Sequence, residues 1–190
     1  MTTARALSPA LRLLLALTVV LGVAYPLAVT AAARALPARA DGSLIRVDDR
    51  VVGSSLLGQP VEGPGWFHAR PSASDHSGET SGGSNLPASD PTQQEAVRER
   101  RAEVATREGV DPAAVPADAL TASSSGLDPH ISPEYAALQV PRVARERGLD
   151  IGEVERVVAE HTSGSVAGFI GTDRVDVTAL NVALSRLGTR

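Results

Sequence analysis

Two unlike hydrophobic patterns divide this 190-residue chain. From Leu13 to Ala33 the residues read LLLALTVVLGVAYPLAVTAAA, with no charge between Arg12 and Arg34. As a helix such a run would rise roughly 30 Å, the thickness of a bilayer core. Beyond it the apolar positions recur at short intervals and break often. Ser43-Leu44-Ile45-Arg46-Val47 and Val51-Val52-Gly53 predict short strands. Asp90-Pro91 has the form of an N-cap and a first helical residue, opening a helix over QQEAVRERRAEVATREG. Few of its residues are apolar, and Glu95–Arg98 and Glu103–Arg107 are spaced as ion pairs, so it predicts a solvated helix face.

Ser132-Pro133 repeats the N-cap signature and predicts a helix to Arg147, interrupted at Pro141 and stopped by Gly148. Asp150-Ile151-Gly152-Glu153 has capping-box spacing, and Val154, Val157 and Val158 share one side of the helix that follows. Phe169-Ile170-Gly171 reads as a strand. Asp176 caps a last helix with Val177, Leu180, Leu184 and Leu187 on its buried stripe. Residues 115–121 form a linker or edge strand. Residues 71–92 are so rich in Ser, Gly, Pro and Asp that they predict a long flexible surface loop. The expected architecture is α+β: a short cytoplasmic lead over 1–12, a transmembrane helix over 13–33, and a single soluble extracytoplasmic α+β domain over 34–190.

The first run could instead be a cleaved signal peptide, since Ala38-Arg39-Ala40 resembles a small-x-small cleavage site. A signal core is about 7–15 residues, shorter than this run, which favours an uncleaved anchor. Arginines flank both ends (Arg5 and Arg12, Arg34 and Arg39), so their count barely orients it. No carboxylate precedes Asp41, and the lead is too short to fold. The expectation is therefore a cytoplasmic N-terminus in the cell membrane, with residues 41–190 outside.

Composition removes whole classes of chemistry. There is no cysteine, hence no disulfide, thiolate metal site or cysteine nucleophile. Every one of the 18 basic residues is arginine, so a Walker A lysine, a Schiff-base lysine and an Asp-Lys-Thr-Gly phosphorylation motif are all missing. Set against 22 acids, the net charge of −4 gives no nucleic-acid footprint. With five aromatic side chains (Tyr25, Trp66, Phe67, Tyr135, Phe169), a core must be built from Val, Leu, Ile and Ala.

One stretch gathers reactive residue types, SSGLDPHISPEY at 124–135. Ser124 or Ser125, His130 and Asp128 are the nucleophile, base and orienter of a hydrolase, yet no Gly-x-Ser-x-Gly elbow is present. A turn at Gly126, a bend at Asp128-Pro129 and a helix start at Ser132 account for more of its residues. Asp75, His76, Asp128 and His130 lack metal-ligand spacing. His68 and His161 read as surface or helix-end residues. SGETSGGSN could present amides to an anion, though flexibility explains it as well. Arg70, near Trp66-Phe67, is open between a partner contact and a packed arginine. Alternatives from other classes are a membrane-anchored or secreted binding domain and a serine hydrolase.

Taken in order, GSSLLGQ at 53–59, WFHARPSA at 66–73, SGGSNL at 81–86, SGLDPHISPEYAALQVPRVARERGL at 125–149 and LNVAL at 180–184 resemble one family. It is the C subunit of the bacterial Kdp high-affinity potassium-transporting P-type ATPase (KdpC). The resemblance runs over most of the chain. It departs at Pro87, where a glycine is usual, and at Trp66, where a tyrosine is usual. It implies an accessory, non-catalytic subunit of an ATP-driven potassium uptake complex. The partners it implies are a channel-like potassium-binding subunit, a P-type ATPase subunit, a small hydrophobic subunit and the lipid bilayer, without nucleic acid. No cofactor or metal is expected on this chain alone; ATP and potassium belong to the complex. The family is described as a catalytic chaperone that raises the ATPase subunit's affinity for nucleotide, which would make Gln139 the nucleotide candidate. Partner-contact or family-motif candidates are Gly53, Ser54, Gln59, Arg70, Ser84, Asn85, Ser125, Gly126, Asp128, His130 and Asn181.

Overall fold

The computed structural model describes residues 2–165 and 170–188, and the chain divides into two units, Met1–Ser43 and Leu44–Arg190. In the first, α1 (Thr2–Val19) passes through a π-helical turn (Val20–Ala24) into α2 (Tyr25–Ala33). Pro26 explains the turn. Its ring crowds the preceding carbonyls and it carries no N–H, so the ladder widens, with Tyr25 N donating to Val20 O. Leu7–Ala33 is a helical stretch of 27 residues with mean hydropathy 2.2 and none of its apolar window buried. By length and composition it can cross a membrane. A single turn, α3 (Pro37–Ala40), follows it.

The second unit is mixed helix and sheet, with its strands in two small sheets. Strands β1 (Leu44–Val47) and β2 (Arg50–Ser54) form an antiparallel hairpin with a bulge between Ile45 and Arg46. Strands β3 (His130–Ile131), β4 (Thr162–Ser163) and β5 (Arg174–Asp176) form an antiparallel sheet in the order β3-β5-β4. Four longer helices complete it: α4 (Pro91–Glu108), α5 (Pro133–Arg147), α6 (Ile151–Glu160) and α7 (Val177–Leu187).

Each long helix starts on a side-chain oxygen that satisfies an orphan backbone N–H. Asp90 accepts from Thr92 N at 2.8 Å, Ser132 from Tyr135 N at 3.0 Å, Asp150 from Gly152 N at 2.8 Å and Asp176 from Ala179 N at 2.9 Å. Helix α5 ends at Gly148, in the left-handed region at φ 65°. The core beneath is built from Val104, Val115, Leu120, Ile131, Val140, Val143, Val154, Val157, Val175, Leu180 and Leu184, with Phe67 and Tyr135 as its aromatic members. Each such side chain, fully buried, contributes about 1.5–3 kcal/mol.

The structure refines or corrects several expectations. Helix α5 runs unbroken through Pro141 instead of dividing. Pro141 and Ala137, the residue whose carbonyl loses its bond, both lie on the exposed side, so water can take that carbonyl. The inward side, with Gln139, Val140, Arg142 and Val143, is packed and holds the axis. Helix α4 keeps its solvated face along its length, with Glu95, Glu99, Ala102, Glu103 and Thr106 exposed, but its opposite side packs inward at the C-terminal end, where Val104 and Ala105 are buried and the Glu108 side chain is fully enclosed. Arg107 bonds Glu108, not Glu103. Residues 115–121, expected as a linker or edge strand, are a linker with a 3-10 turn at Ala117–Ala119. Of the strand expected at 169–171, Phe169 lies outside the described residues and Ile170 makes an isolated bridge.

Candidate functional site

The segments singled out in the sequence converge on one cluster of loops. Gly58 N donates to Leu127 O at 2.7 Å, tying 53–59 to 124–130. Ser125 O accepts from Gly82 N at 2.8 Å and from Ser81 Oγ at 3.2 Å, which adds 81–86. Ser72 Oγ donates to Gly126 O at 2.6 Å and accepts from the backbone of Ser74 and His76, adding 70–78. Residues 71–90 form no helix or strand, yet they are pinned at these points to the loop opposite.

Arg70 works inside the cluster. Its Nε and Nη2 donate to Thr121 O at 3.2 and 3.1 Å, and Nη1 reaches Asp128 Oδ2 at 3.5 Å. Asp128 spends its other oxygen on the backbone N and Nδ1 of His130, both at 3.0 Å. That is the orienting half of a catalytic triad. The serines complete no such relay: Ser125 Oγ accepts from Leu127 N and faces Ser123 Oγ, and no hydrogen bond joins either Ser124 or Ser125 to His130 among the described residues. Nor is there, among those residues, a group of three His, Asp or Glu side chains that could hold a metal ion. Ser84 and Asn85 are exposed, Asn85 at φ 54°. Leu56, in the 53–59 loop, and Leu86, next to Asn85 in the chain, are 63% and 41% exposed. Gly53 faces Gln59, whose Cγ would lie 3.2 Å from a Cβ there, and Ser54 is buried with its hydroxyl accepting from Leu56 N.

Gln139 and Asn181 lie elsewhere, in the helices under the segment 64–70, which turns over 64–66 before running on through Phe67 and His68. Asn181 of α7 accepts from Phe67 N at 2.9 Å and donates to Phe67 O at 2.8 Å. Gln139 of α5, completely buried, does the same for the next residue: it accepts from His68 N at 2.7 Å and donates to His68 O at 3.1 Å. Successive peptide groups of an extended chain point to opposite sides. One amide therefore grips Phe67 from α7 and the other grips His68 from α5, in place of two neighbouring strands. Each end of both amides is used on protein.

Behind the clamps lies a charged network that the sequence did not announce. Glu108, at the end of α4, accepts from Arg142 Nε at 2.8 Å and Arg107 Nε at 2.9 Å. Arg142 also donates to Gln139 Oε1 at 2.8 Å, Trp66 O at 2.9 Å and Pro64 O. Arg147 stacks on Trp66, 4.6 Å from the ring centre, and donates to Leu184 O. Asp118 holds Ser132 through both its N and Oγ. The only signal for these roles was the charge count; nothing in the spacing shows which arginines are enclosed.

His68 sits against that network instead of on the surface. Burial, then the Arg107 and Arg142 guanidiniums, push its imidazole from 6.5 down to about 4. Between those two values the unfolded chain takes up a proton that folded His68 refuses. Stability should thus fall as pH drops from 6.5 to 4, with no further change from this group below 4. The loss should be on the order of 2 kcal/mol once solvent screening of a partly exposed ring is allowed for. Urea midpoints of the full chain in detergent, in buffer free of phosphate and sulfate, check it. His68→Gln should flatten the slope over that window.

With this geometry in place, comparison with known proteins is informative. The family model for "K+-transporting ATPase, c chain" (KdpC) matches residues 7–186. The chain belongs to the KdpC family. Relatives named potassium-transporting ATPase KdpC subunit occur in Sorangium cellulosum, 52% identical over 182 residues (94% of this chain, 96% of the relative), and in Kineococcus radiotolerans, 52% identical over 176 residues (92% and 90%). One from Geobacter sulfurreducens is 46% identical over 186 residues (95% and 97%). The KdpC resemblance seen in the five sequence blocks is therefore shown. Four of the blocks meet in or against the loop cluster, and the last supplies the Asn181 clamp.

Proposed function

We propose that this chain is the accessory subunit of an ATP-driven potassium uptake complex, anchored by Leu7–Ala33 and presenting the loop cluster to the channel-like and ATPase subunits. The observation that carries the reading is that motif blocks scattered from residue 53 to residue 130 are bonded together into one surface. Loops held by a scaffold are where binding residues concentrate. Exposed Leu56, Leu86, Ser84 and Asn85 form its outward part, while Gly126, Gly58, Arg70 and Asp128 hold it in shape.

The double variant Leu56→Glu/Leu86→Glu changes exposed positions only, so the domain should keep its melting temperature. It should nevertheless lose most of the large subunits on affinity purification from membranes. Full stoichiometry and transport in that variant would remove the cluster as the partner surface.

Orientation belongs to the same proposal: N-terminus in the cytoplasm, residues 41–190 outside. The cysteine-free chain makes this directly measurable. Ser77→Cys should react with an impermeant maleimide on intact cells, and Thr3→Cys, which precedes the span, only after permeabilisation. The reverse pattern would place the domain inside. In the proposed orientation the domain and ATP lie on opposite sides of the bilayer. A raised ATP affinity of the ATPase subunit must then be a coupling free energy passed through the partners. Gln139 contributes as a clamp on His68, not as a nucleotide contact. An apparent ATP affinity that is the same with and without this subunit would remove the chaperone role and leave assembly standing.

A further inference from the structure

Residues 34–43 join the end of α2 at Ala33 to the start of β1 at Leu44. Fully extended, ten residues reach only about 35 Å, and α3 winds up four of these. The β1–β2 hairpin is thereby tethered within reach of any bilayer that the span crosses. It is also poorly suited to water. Its two strands form a sheet of their own, unjoined to β3-β5-β4, and a lone two-stranded hairpin is marginally stable. Leu44, Val51 and Val52 are 46%, 50% and 44% exposed on it, Val52 being the extra residue at the bulge. At its tip Arg46 and Arg50 flank Asp48 and Asp49, so the charges of the turn cancel.

An open groove of about 350 Å³ lies against this hairpin, walled by Val47, Val52, Pro60, Val61, Trp66 and Val182. That is more than twice the size of an apolar cavity, ~150 Å³, that takes up benzene. No charged side chain lines it. Most of the polar groups on its wall are spent on the protein itself: Asn181 on both backbone groups of Phe67, Thr178 Oγ1 on Leu57 O and Ser185 Oγ on Val182 O. Gln59 keeps an amide without a hydrogen bond among the described residues, enough for one ester carbonyl. Such a wall recognises hydrocarbon by burial, with almost no directional bonding. We propose that the hairpin is a second membrane contact, Leu44, Val51 and Val52 resting in the interfacial layer, and that the groove takes one phospholipid acyl chain. The inference rests on the anchoring by Leu7–Ala33 proposed above. Because the turn carries no net charge, the contact is indifferent to headgroup charge and to salt.

Trp66 is the only tryptophan of the chain, so its emission reports on the groove by itself. Full-length protein is reconstituted in phosphatidylcholine vesicles whose acyl chains are plain or dibrominated, bromine being a contact quencher. The brominated vesicles should remove most of the Trp66 emission, equally with phosphatidylglycerol in place of phosphatidylcholine and equally at high salt. Val182→Phe, which fills the groove from α7, should restore the emission without lowering the melting temperature. Val52→Asp, at an exposed position of the groove wall, is the second variant should Val182→Phe disturb the fold. Carbonate extraction of the same vesicles tests the anchor separately. A chain that resists extraction yet emits alike in plain and brominated vesicles overturns the hairpin contact and leaves the anchor standing. A chain that carbonate removes overturns both. Quenching that needs phosphatidylglycerol, or that salt abolishes, would mean a headgroup contact and no acyl-chain site. Quenching unchanged by both variants would put Trp66 near lipid without a tail in the groove, and the assignment fails. It fails equally if Trp66 is unquenched while either variant strips the large subunits on purification from membranes, since the groove then holds an apolar segment of a partner.

Discussion

Replacing Arg142 with leucine is expected to cost the α+β domain about 3–5 kcal/mol, the range seen when one partner of an enclosed ion pair is removed. Arg142 is 2% exposed and Glu108 not at all. Without the guanidinium, Glu108 keeps only Arg107, and the carbonyls of Trp66 and Pro64 lose their donor. Gln139 Oε1 loses one of its two donors, which loosens the grip on His68. A domain stable by about 5–15 kcal/mol would be left near its limit. The urea midpoint of the full chain should drop sharply, with partner subunits lost as a consequence. Adding Glu108→Gln should restore part of the loss, because the stranded carboxylate is then gone. A single variant within about 1 kcal/mol of the parent would show that the network is not what holds the segment.

That network also marks where sequence reasoning stopped. The caps at Asp90, Ser132, Asp150 and Asp176 were legible because capping is local: the oxygen and the N–H it serves lie two or three residues apart. The valines and leucines of α6 and α7 were legible because burial imposes a 3.6-residue period. The strands at 130–131, 162–163 and 174–176 have two or three residues each, too few for a period of two to show. Glu108 and Arg142 are separated by 34 residues, and Asn181 and Phe67 by 114. Nothing local distinguishes an enclosed arginine from the exposed Arg98 or Arg145, since all carry the same charge on the same kind of helix. Pro141 misled for a related reason. Its rule describes a lost hydrogen bond, while the outcome depended on which side of the helix lost it. The family blocks carried more than any single rule because they recorded which loops must fit together. They did not record that Gln139 and Asn181 act beneath the surface while Asn85 stands on it.

The closest fit in that surface is at Gly126, and Gly126→Ala is expected to cost about 2–4 kcal/mol, strain and overpacking combined. Its φ of 68° already disfavours a side chain, and a Cβ there would lie 2.5 Å from Ser74 Oγ and 2.7 Å from Gly82 O. Ser74 can rotate away. The Gly82 carbonyl cannot, because the neighbouring Gly82 N and Ser81 Oγ are tied to Ser125 O. Relief would have to separate the 81–86 loop from the 124–128 turn, which opens the proposed contact surface at its middle. Gly82→Ala is the control on the same contact: a Cβ at Gly82 meets nothing within 4 Å, so it should change stability by less than about 0.5 kcal/mol. Thermal melts of both variants, followed by purification from membranes below both melting temperatures, divide shape from stability. If Gly126→Ala still folds at the purification temperature yet loses its large partners while Gly82→Ala keeps them, the two loops must be held together for docking. Equal melts for the two variants would mean that the turn relaxes without moving the loop, and the cluster would not be the rigid unit its hydrogen bonds describe.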